Sequence, residues 1–503
     1  MLSKCLITLA LLVSIIACAT DGGKQKGTTP DTTPAQQTAM FYESMFEGDK
    51  PNIPALKLFF TNMPKGGDLH HHFTGSIYAE TYLDWVARKG WLIDSCTLKI
   101  VESRHEGQCK AYTVEMLKLP KHSRLYRKLL TLWSDKDYEN HFHDQPPPDS
   151  NFFDTFGYFG PISNDYMDVG MNILKQRAIA ENVSYIETML TRIGIKSSDY
   201  FSADEAGKLN TELKSSRSYD ELFRLFDLIV GRLRADESFN TGIEQFISGI
   251  ERNHQGIDGD NFKMRYQAYA VRTLDPLQVF TDLYSSYLAT ERSQLVVGVN
   301  IVGPENDHVA LSDYTLHMYM FRYLNERHPN VNSALHAGEL TLGMVRPKDL
   351  LFHIQQALDI ANARRIGHGV DLPYERDSVK LLEDLKQNAA IEINLTSNEF
   401  ILGVKNNEHP YLIYSRYGVP LIISTDDSGV SRDNLTNAYV MLASRYHPSY
   451  EKIKEYVYNS IKYAFMSPKE KLANTMLLDR KFMEFENQMA GLRDAFAYAY
   501  RTQ

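Results

Sequence analysis

The sequence has no excess of basic residues. It contains 54 lysines and arginines against 63 aspartates and glutamates, which gives a formal net charge of −9 at pH 7. Proteins that bind DNA or RNA present a basic face to the phosphates, and no basic stripe stands out here. We therefore expect no nucleic-acid partner. The 503 residues are 43% hydrophobic and 23% charged, values typical of a globular protein.

Cysteine is scarce, with four residues in all. Cys5 and Cys18 lie in the N-terminal segment, which leaves Cys96 and Cys109 in the rest of the chain. Two cysteines so close in sequence form a disulfide in many exported proteins, and the alternative is a pair of reduced, partly buried thiols. Spacing alone does not decide between them, because a disulfide requires a specific geometry.

Long apolar runs are absent after the N-terminal segment, and the run from Leu6 to Ala17 is too short to span a bilayer. Together with Lys4, it indicates a signal peptide. The run ends in Ile15-Ile16-Ala17-Cys18, which resembles a bacterial lipobox, where the cysteine receives lipid. We expect residues 1–18 to be a lipoprotein-type signal peptide and the protein to be a periplasm-facing or cell-surface lipoprotein, held to a membrane only by its lipid anchor. The alternative is an ordinary signal and a secreted protein.

Residues 19–39 are polar and rich in Gly, Thr, Gln and Pro, a composition that cannot form a core. We expect a flexible linker there and one folded domain over residues 40–503. Within that domain, short β-rich runs alternate with helical patterns, as in βα units. Eight runs are predicted strands: Gly67–Phe73, Val183–Leu190, Met264–Thr273, Leu295–Val302, Ser333–Ala337, Arg365–Val370, Ala390–Leu395 and Leu421–Ser424.

Eight βα units predict an α/β fold of the (β/α)8 or TIM-barrel type, with a doubly wound sheet as the alternative. Over a hundred residues separate the first two predicted strands. We expect an insertion at about residues 90–150 to cover the mouth of the barrel, with Cys96 and Cys109 stapling part of it.

The first predicted strand carries His70 and His72, which share one face because His71 alternates with them. Two imidazoles on one side of a strand can bind a metal ion, whereas surface histidines at a strand end are the ordinary alternative. Functional groups of a (β/α)8 barrel collect at the carboxyl ends of its strands. Polar motifs end four further predicted strands: His336-Ala-Gly-Glu339, Gly367-His368-Gly369, Asn394-Leu-Thr-Ser-Asn398 and Thr425-Asp426-Asp427.

Taken together and in this order, the motifs resemble those of the adenosine deaminase family of metal-dependent amidohydrolases. The resemblance runs from about Met63 to Asp427. The extracellular adenosine deaminase-related growth factors, which also carry a signal and an inserted segment, look like the closest branch. The Cys-x-x-Cys motif of the zinc deaminases of the cytidine type is absent.

The resemblance implies one Zn²⁺ per chain, with a position left for water. The residues that match the family's ligands are His70, His72, His336 and Asp426. Three imidazoles and a carboxylate suit zinc, although iron or cobalt also accept such a set.

The resemblance also implies an adenosine deaminase-like hydrolase that converts adenosine or 2′-deoxyadenosine to the inosine product and ammonia. His368 would orient and help to deprotonate the attacking water, Glu339 would protonate N1 of the purine, and Asp427 would bond N7 and the water. The positions that would bind the small purine nucleoside are His72, Thr74, Gly303, Glu339 and Asp427.

One position departs from the family pattern. Where the family usually reads His-x-His-x-Asp-Gly, this chain has Thr74 before Gly75. The family's Asp commonly contacts the ribose, and Thr74 offers a shorter, neutral hydroxyl. Another 6-aminopurine compound is therefore an alternative substrate. A catalytically inactive nucleoside-binding protein is the alternative from another class, and the presence of Glu339 argues against it, because binding alone needs no acid.

Overall fold

The computed structural model describes residues 32–48, 50–104, 109–136, 138, 146–216 and 218–501, with side chains described as far as residue 492. The predicted signal peptide, residues 1–18, and the predicted linker up to residue 31 lie outside the described residues. Among the described helices, none combines the length and the apolar content needed to cross a bilayer.

The described strands include eight that run parallel and pair in the order β1-β5-β6-β7-β8-β9-β10-β11. A parallel bridge between His71 and Asp426 joins the last of these to the first and closes the ring. The predicted (β/α)8 barrel is therefore confirmed, and each of the eight predicted strands supplies one barrel strand. The strand bounds are β1 Gly66–His72, β2 Leu92–Asp94, β3 Ile100–Val101, β4 Ala111–Tyr112, β5 Val183–Thr191, β6 Lys263–Val271, β7 Val296–Val302, β8 Asn332–Ala337, β9 Arg365–His368, β10 Ala390–Ile393 and β11 Leu421–Ile423.

Helices surround the barrel and fill the insertion. They are α1 Pro34–Ser44, α2 Ile53–Asn62, α3 Ala79–Lys89, α4 Val114–Leu117, α5 Ser123–Leu132, α6 Pro148–Phe159, α7 Met167–Ala180, α8 Ala203–Ser215, α9 Tyr219–Arg234, α10 Glu237–Asn253, α11 Pro276–Arg292, α12 His308–Arg327, α13 His353–Asp359, α14 Ser378–Asn388, α15 Leu395–Leu402, α16 Tyr411–Tyr417, α17 Leu435–Tyr446, α18 Tyr450–Lys462 and α19 Pro468–Arg501. Barrel strands such as β5 are buried along nearly their whole length. Burial on both faces explains why the strand sequences are almost continuously apolar.

Helix α1 begins at Pro34, within the span predicted as a flexible linker, so that prediction is wrong for residues 34–39. Thr33 and Gln36 form a reciprocal capping box, with each side chain accepting the other residue's backbone N–H, and Pro34 opens the helix. Thr38 is buried and its hydroxyl donates to the carbonyl of Glu486 in α19. The contact with α19 thus stabilises a helix in a segment whose composition alone predicts no ordered structure.

The predicted insertion between the first two barrel strands is confirmed. It contains the antiparallel sheet β3-β2-β4 and the helices α4 to α6. Cys96 and Cys109 form a disulfide across this sheet, with Cα atoms 5.6 Å apart. Leu98, inside the disulfide loop, is buried, and its carbonyl accepts the indole N–H of Trp133 at 3.1 Å.

We expect Cys96→Ser to lower the stability of the chain by about 3 kcal/mol, because a disulfide closing a loop of this length removes roughly that much conformational entropy from the unfolded chain. Thermal unfolding of both proteins, with and without a thiol reductant, measures the effect. The reductant should lower the wild-type Tm to that of the variant and leave the variant unchanged. A wild-type Tm that ignores the reductant would contradict the prediction.

Candidate active site

The four predicted metal ligands meet at the carboxyl end of the barrel. Each offers one ligand atom, and these atoms all lie within 4.8 Å of one another. His72 Nε2 is 3.1 Å from His336 Nε2, and Asp426 Oδ1 is 3.2 Å from His72 Nε2. Asp426 Oδ1 also lies 3.4 Å from His70 Nε2. Residues from β1, β8 and the end of β11 therefore surround one small volume.

Hydrogen bonds on the far side of two rings direct the near nitrogens to that volume. His70 Nδ1 lies 2.7 Å from Glu392 Oε2, and His336 Nδ1 lies 3.0 Å from Asn300 Oδ1. Both partners are acceptors, since a carboxylate cannot donate and Asn300 Oδ1 already accepts the N–H of Ile301. The protons are therefore on Nδ1, and the Nε2 lone pairs face inwards, as metal-binding histidines require.

The site fits a divalent cation. His70 Nε2 is buried and has no hydrogen-bond partner among the described residues. A buried lone pair without a donor is costly in a folded protein, and a metal ion would satisfy it. Three imidazoles and one carboxylate are ligand types that Zn²⁺ accepts.

Sequence reasoning missed the acid that holds His70. Glu392 lies inside the predicted strand Ala390–Leu395, and its signal is a charge in the middle of an apolar run. It also accepts from Arg365, whose guanidinium donates on its other side to Glu187. All these side chains are buried.

Asp426 and Asp427 both face the cavity, although simple strand alternation would separate them. The strand ends at Ile423, and Asp426 has a φ of +61°, so the chain has already turned. The carboxylate of Asp427 occupies the place where a Cβ on Gly75 would be, at 1.5 Å from Oδ1. Gly75 is therefore required for Asp427 to reach the site. Burial and the charge of Asp426 raise the pKa of Asp427 well above its usual value.

Glu339 follows a tight turn whose backbone is held by buried charges. Glu305 accepts the N–H of Gly338 at 3.1 Å and that of Glu339 at 2.9 Å. Arg272 donates to the carbonyl of His336 at 2.7 Å. Burial, with the charges of Asp426 and Glu305, raises the pKa of Glu339 well above its usual value. This shift favours the protonated form of Glu339.

His368 lies between these groups. Its Nε2 is 3.7 Å from Asp426 Oδ2, and its Nδ1 is 3.7 Å from Glu339 Oε1. The backbone has a φ of +70°, which is uncommon for a residue with a side chain. Burial lowers the pKa of His368 to about 3, so the imidazole is neutral.

These residues line a cavity of about 290 Å³. All the predicted substrate-binding residues line it, namely His72, Thr74, Gly303, Glu339 and Asp427. The other side consists of apolar side chains, among them three phenylalanines of α6: Phe152, Phe153 and Phe156. Helix α6 lies between the first two barrel strands, and its three phenylalanines fall just beyond the predicted insertion of about residues 90–150. The sequence analysis did not identify these aromatic residues as part of the site.

Comparison with known proteins supports the resemblance to adenosine deaminases over part of the chain. A family model described as adenosine deaminase matches residues 234–480. An adenosine deaminase from Enterococcus faecalis is 31% identical over 150 residues, which are 30% of this chain and 41% of that protein. One from Clostridium acetobutylicum is 27% identical over 207 residues, or 41% of this chain and 56% of that protein. Over these segments the chain is similar in sequence to adenosine deaminases. The matched segments span about half the length of these curated relatives.

Solved structures show the same fold. The Arabidopsis N6-mAMP deaminase superposes with a TM-score of 0.54 at 19% identity, over 84% of this chain and 99% of that one. An amidohydrolase from Burkholderia ambifaria with bound Zn gives a TM-score of 0.51 at 15% identity, over 86% of this chain and 94% of that one. At these identities, the similarity concerns the barrel architecture.

We expect Glu392→Gln to weaken Zn²⁺ binding about 10- to 100-fold, because the amide is a poorer acceptor for the Nδ1–H of His70 and orients the ring less firmly. Competition between the metal-free protein and a chromogenic chelator measures the affinity. Glu486→Gln is the matched control, since Glu486 is also buried but accepts from Tyr450, outside the site. Equal affinity in all three proteins would contradict the role of Glu392.

Proposed function

We propose that the protein hydrolyses the amino group of a 6-aminopurine nucleoside, with adenosine and 2′-deoxyadenosine as substrates. The observation that carries the proposal is the position of one buried acid, Glu339, whose pKa is raised, beside four converging candidate metal ligands at the floor of a cavity. Displacement of ammonia from a purine needs an activated water together with a proton donor for the ring. The similarity to adenosine deaminases supports the same reaction.

The proposed roles follow from the charge states of the side chains. A divalent metal held by the four ligands would supply an activated water near neutral pH. Glu339 donates its proton to N1 of the purine, so that negative charge does not accumulate on the ring while it loses aromaticity. Asp427, whose pKa is raised by burial and by the charge of Asp426, donates a hydrogen bond to N7 in its protonated form. The backbone of Gly303, at the cavity wall, contacts N3.

The charges of the cavity favour a nucleoside over a nucleotide. Among its described lining residues there is no lysine or arginine, and the ionisable ones are histidines and acids. A phosphate group is normally held by cationic side chains or by a helix N-terminus. An uncharged substrate therefore suits this cavity better than a nucleoside monophosphate.

Thr74 stands at the position where the family's aspartate commonly contacts the ribose, so it affects which sugar the cavity accepts. Its side chain lines the cavity where the family usually has an aspartate, and its carbonyl accepts the hydroxyl of Tyr82 at 2.6 Å. A neutral hydroxyl tolerates a wider range of groups at that position than a carboxylate does. A different 6-aminopurine compound is therefore the second candidate substrate.

We expect the zinc-loaded protein to release ammonia from adenosine and 2′-deoxyadenosine, and to act on AMP at least 100-fold more slowly, because AMP would place a dianion among acids. Steady-state kcat/KM values for adenosine, 2′-deoxyadenosine, adenine and AMP test this. Faster turnover of AMP would contradict the choice of a nucleoside. No turnover of any of the four by zinc-loaded protein would contradict purine deamination.

The matched variant for this assay is Glu339→Gln, which keeps the shape of the side chain and removes the acidic proton. We expect it to bind Zn²⁺ as the wild type does and to lose at least 100-fold in kcat, within the range for a missing general acid of about 10²–10⁴. Unchanged turnover would refute the proton-donor role.

We further propose that the protein is exported and held to a membrane by lipid on Cys18. The lipobox-like sequence that ends at this cysteine supports the proposal, and the disulfide between Cys96 and Cys109 suits an oxidising compartment. We expect Cys18→Ser to move the full-length chain from the membrane fraction to the soluble fraction in a bacterial host. An unaltered distribution would contradict the anchor.

A further inference from the structure

A row of buried polar groups lies behind His368. Asn398 in α15 places its amide nitrogen 2.9 Å from His368 Nδ1. On its other side, Asn398 Oδ1 is 3.0 Å from Nε2 of His409, in the segment between α15 and α16. His409 Nδ1 in turn accepts the backbone N–H of Tyr411 at 3.1 Å. His368, Asn398 and His409 are all buried.

The backbone N–H of Tyr411, at the end of this row, sets the direction of every hydrogen bond in it. A backbone N–H can only donate, so His409 Nδ1 is an acceptor and carries no proton. The proton of the neutral ring is then on Nε2, which donates to Asn398 Oδ1. The amide nitrogen of Asn398 therefore faces His368 and donates to Nδ1. The Nδ1 atom of His368 is thus an acceptor, and the proton of the neutral ring is on Nε2.

The opposite arrangement is excluded by donor–donor conflicts. If the Asn398 amide were flipped, its NH₂ group would face the Nε2–H of His409. If His409 were protonated, its Nδ1–H would face the N–H of Tyr411. Burial, helped by the charge of Arg445, lowers the pKa of His409 to about 3, which keeps this ring neutral.

The other neighbours of His368 are compatible with a bare Nδ1 and a proton on Nε2. Its Nε2 faces the carboxylate of Asp426, which suits a donor. Its Nδ1 lies 3.7 Å from Glu339 Oε1, beyond hydrogen-bond distance, so Glu339 does not compete with Asn398 for this nitrogen. Neither neighbour requires the other tautomer.

We propose that Asn398 and His409 are positioning residues that hold His368 in the Nε2–H tautomer, so that His368 donates a hydrogen bond to the attacking oxygen and does not accept a proton from it. The catalytic consequence rests on the proposed function, whereas the tautomer does not. This revises the expectation that His368 helps to deprotonate water. A ring that already carries a proton on Nε2 has no lone pair there, and its other lone pair is held by Asn398.

The isosteric variant Asn398→Asp reverses one bond in the row. Its carboxylate still accepts from His409 but presents an acceptor to His368, which must then place a proton on Nδ1. Long-range ¹H–¹⁵N correlation spectra of zinc-loaded protein with ¹⁵N-labelled histidine show which ring nitrogens carry protons. The signal of His368 is assigned by its loss in His368→Gln. We expect a bare Nδ1 in the wild type and a protonated Nδ1 in Asn398→Asp.

Kinetics then test whether the tautomer is used. We expect Asn398→Asp to lower kcat for adenosine about 10- to 100-fold, as loss of a residue that orients a functional histidine does, with a much smaller change in KM. His409→Phe, which leaves Asn398 free to flip, should give a smaller loss and a mixture of tautomers. Asn474→Asp in α19 adds the same charge at a buried asparagine outside the cavity lining and should leave kcat unchanged.

A protonated Nδ1 on His368 in the wild type, or a bare Nδ1 in Asn398→Asp, would overturn the proposal. So would an exchange of tautomer in Asn398→Asp that leaves kcat unaltered in an active enzyme. If the wild type acts on no purine, the proposed function fails, and the spectra still decide the tautomer.

Discussion

Two backbone hydrogen bonds between β1 and Asp426, in the turn that follows β11, hold the candidate site together. The N–H of Asp426 donates to the carbonyl of His70 at 2.8 Å, and the N–H of His72 donates to the carbonyl of Asp426 at 3.1 Å. These bonds close the barrel, and their donors and acceptors belong to three of the four residues predicted to bind the metal. Closing the barrel and assembling the ligands are therefore one structural event. Metal affinity should consequently be coupled to the stability of the whole barrel, as in other proteins whose ligands meet only on folding.

The site also concentrates buried charge, which a barrel core accepts only with partners. Three parts of the site have an outer partner: His70 has Glu392, His336 has Asn300, and the turn before Glu339 has Glu305. Removing charges from water costs several kcal/mol per ion, and hydrogen-bonded networks of this kind offset that cost without adding much stability. Their benefit is orientation. The inner groups are fixed before substrate arrives, so no binding energy is spent on arranging them.

The barrel strands could be predicted from the sequence because they depend on short-range patterns, whereas the full set of metal ligands was implied only by the family resemblance. Strands buried on two faces must be apolar, and alternation alone puts His70 and His72 on one face. The pairing of Asp426 with Asp427 could not be derived in this way, since the strand ends at Ile423 and a positive φ at Asp426 turns both side chains inwards. The outer partners were missed for a different reason. Glu392 and His409 act through contacts between segments distant in the chain, and such contacts leave no periodic signal.

The residues proposed to perform the chemistry and the residues that cover the cavity lie in different segments of the chain. The family model matches residues 234–480, which hold His336, Glu339, His368 and both aspartates, whereas β1 and the whole insertion lie outside that match. The insertion contributes the phenylalanines of α6, and Asn306 in the loop after β7 donates to Asp149 at the start of that helix at 3.0 Å. An apolar cover held to a polar rim excludes water and strengthens the electrostatic interactions beneath it. Because the cover and the floor are separate segments, substitutions in the cover can change access to the cavity while the charge arrangement at the floor stays the same.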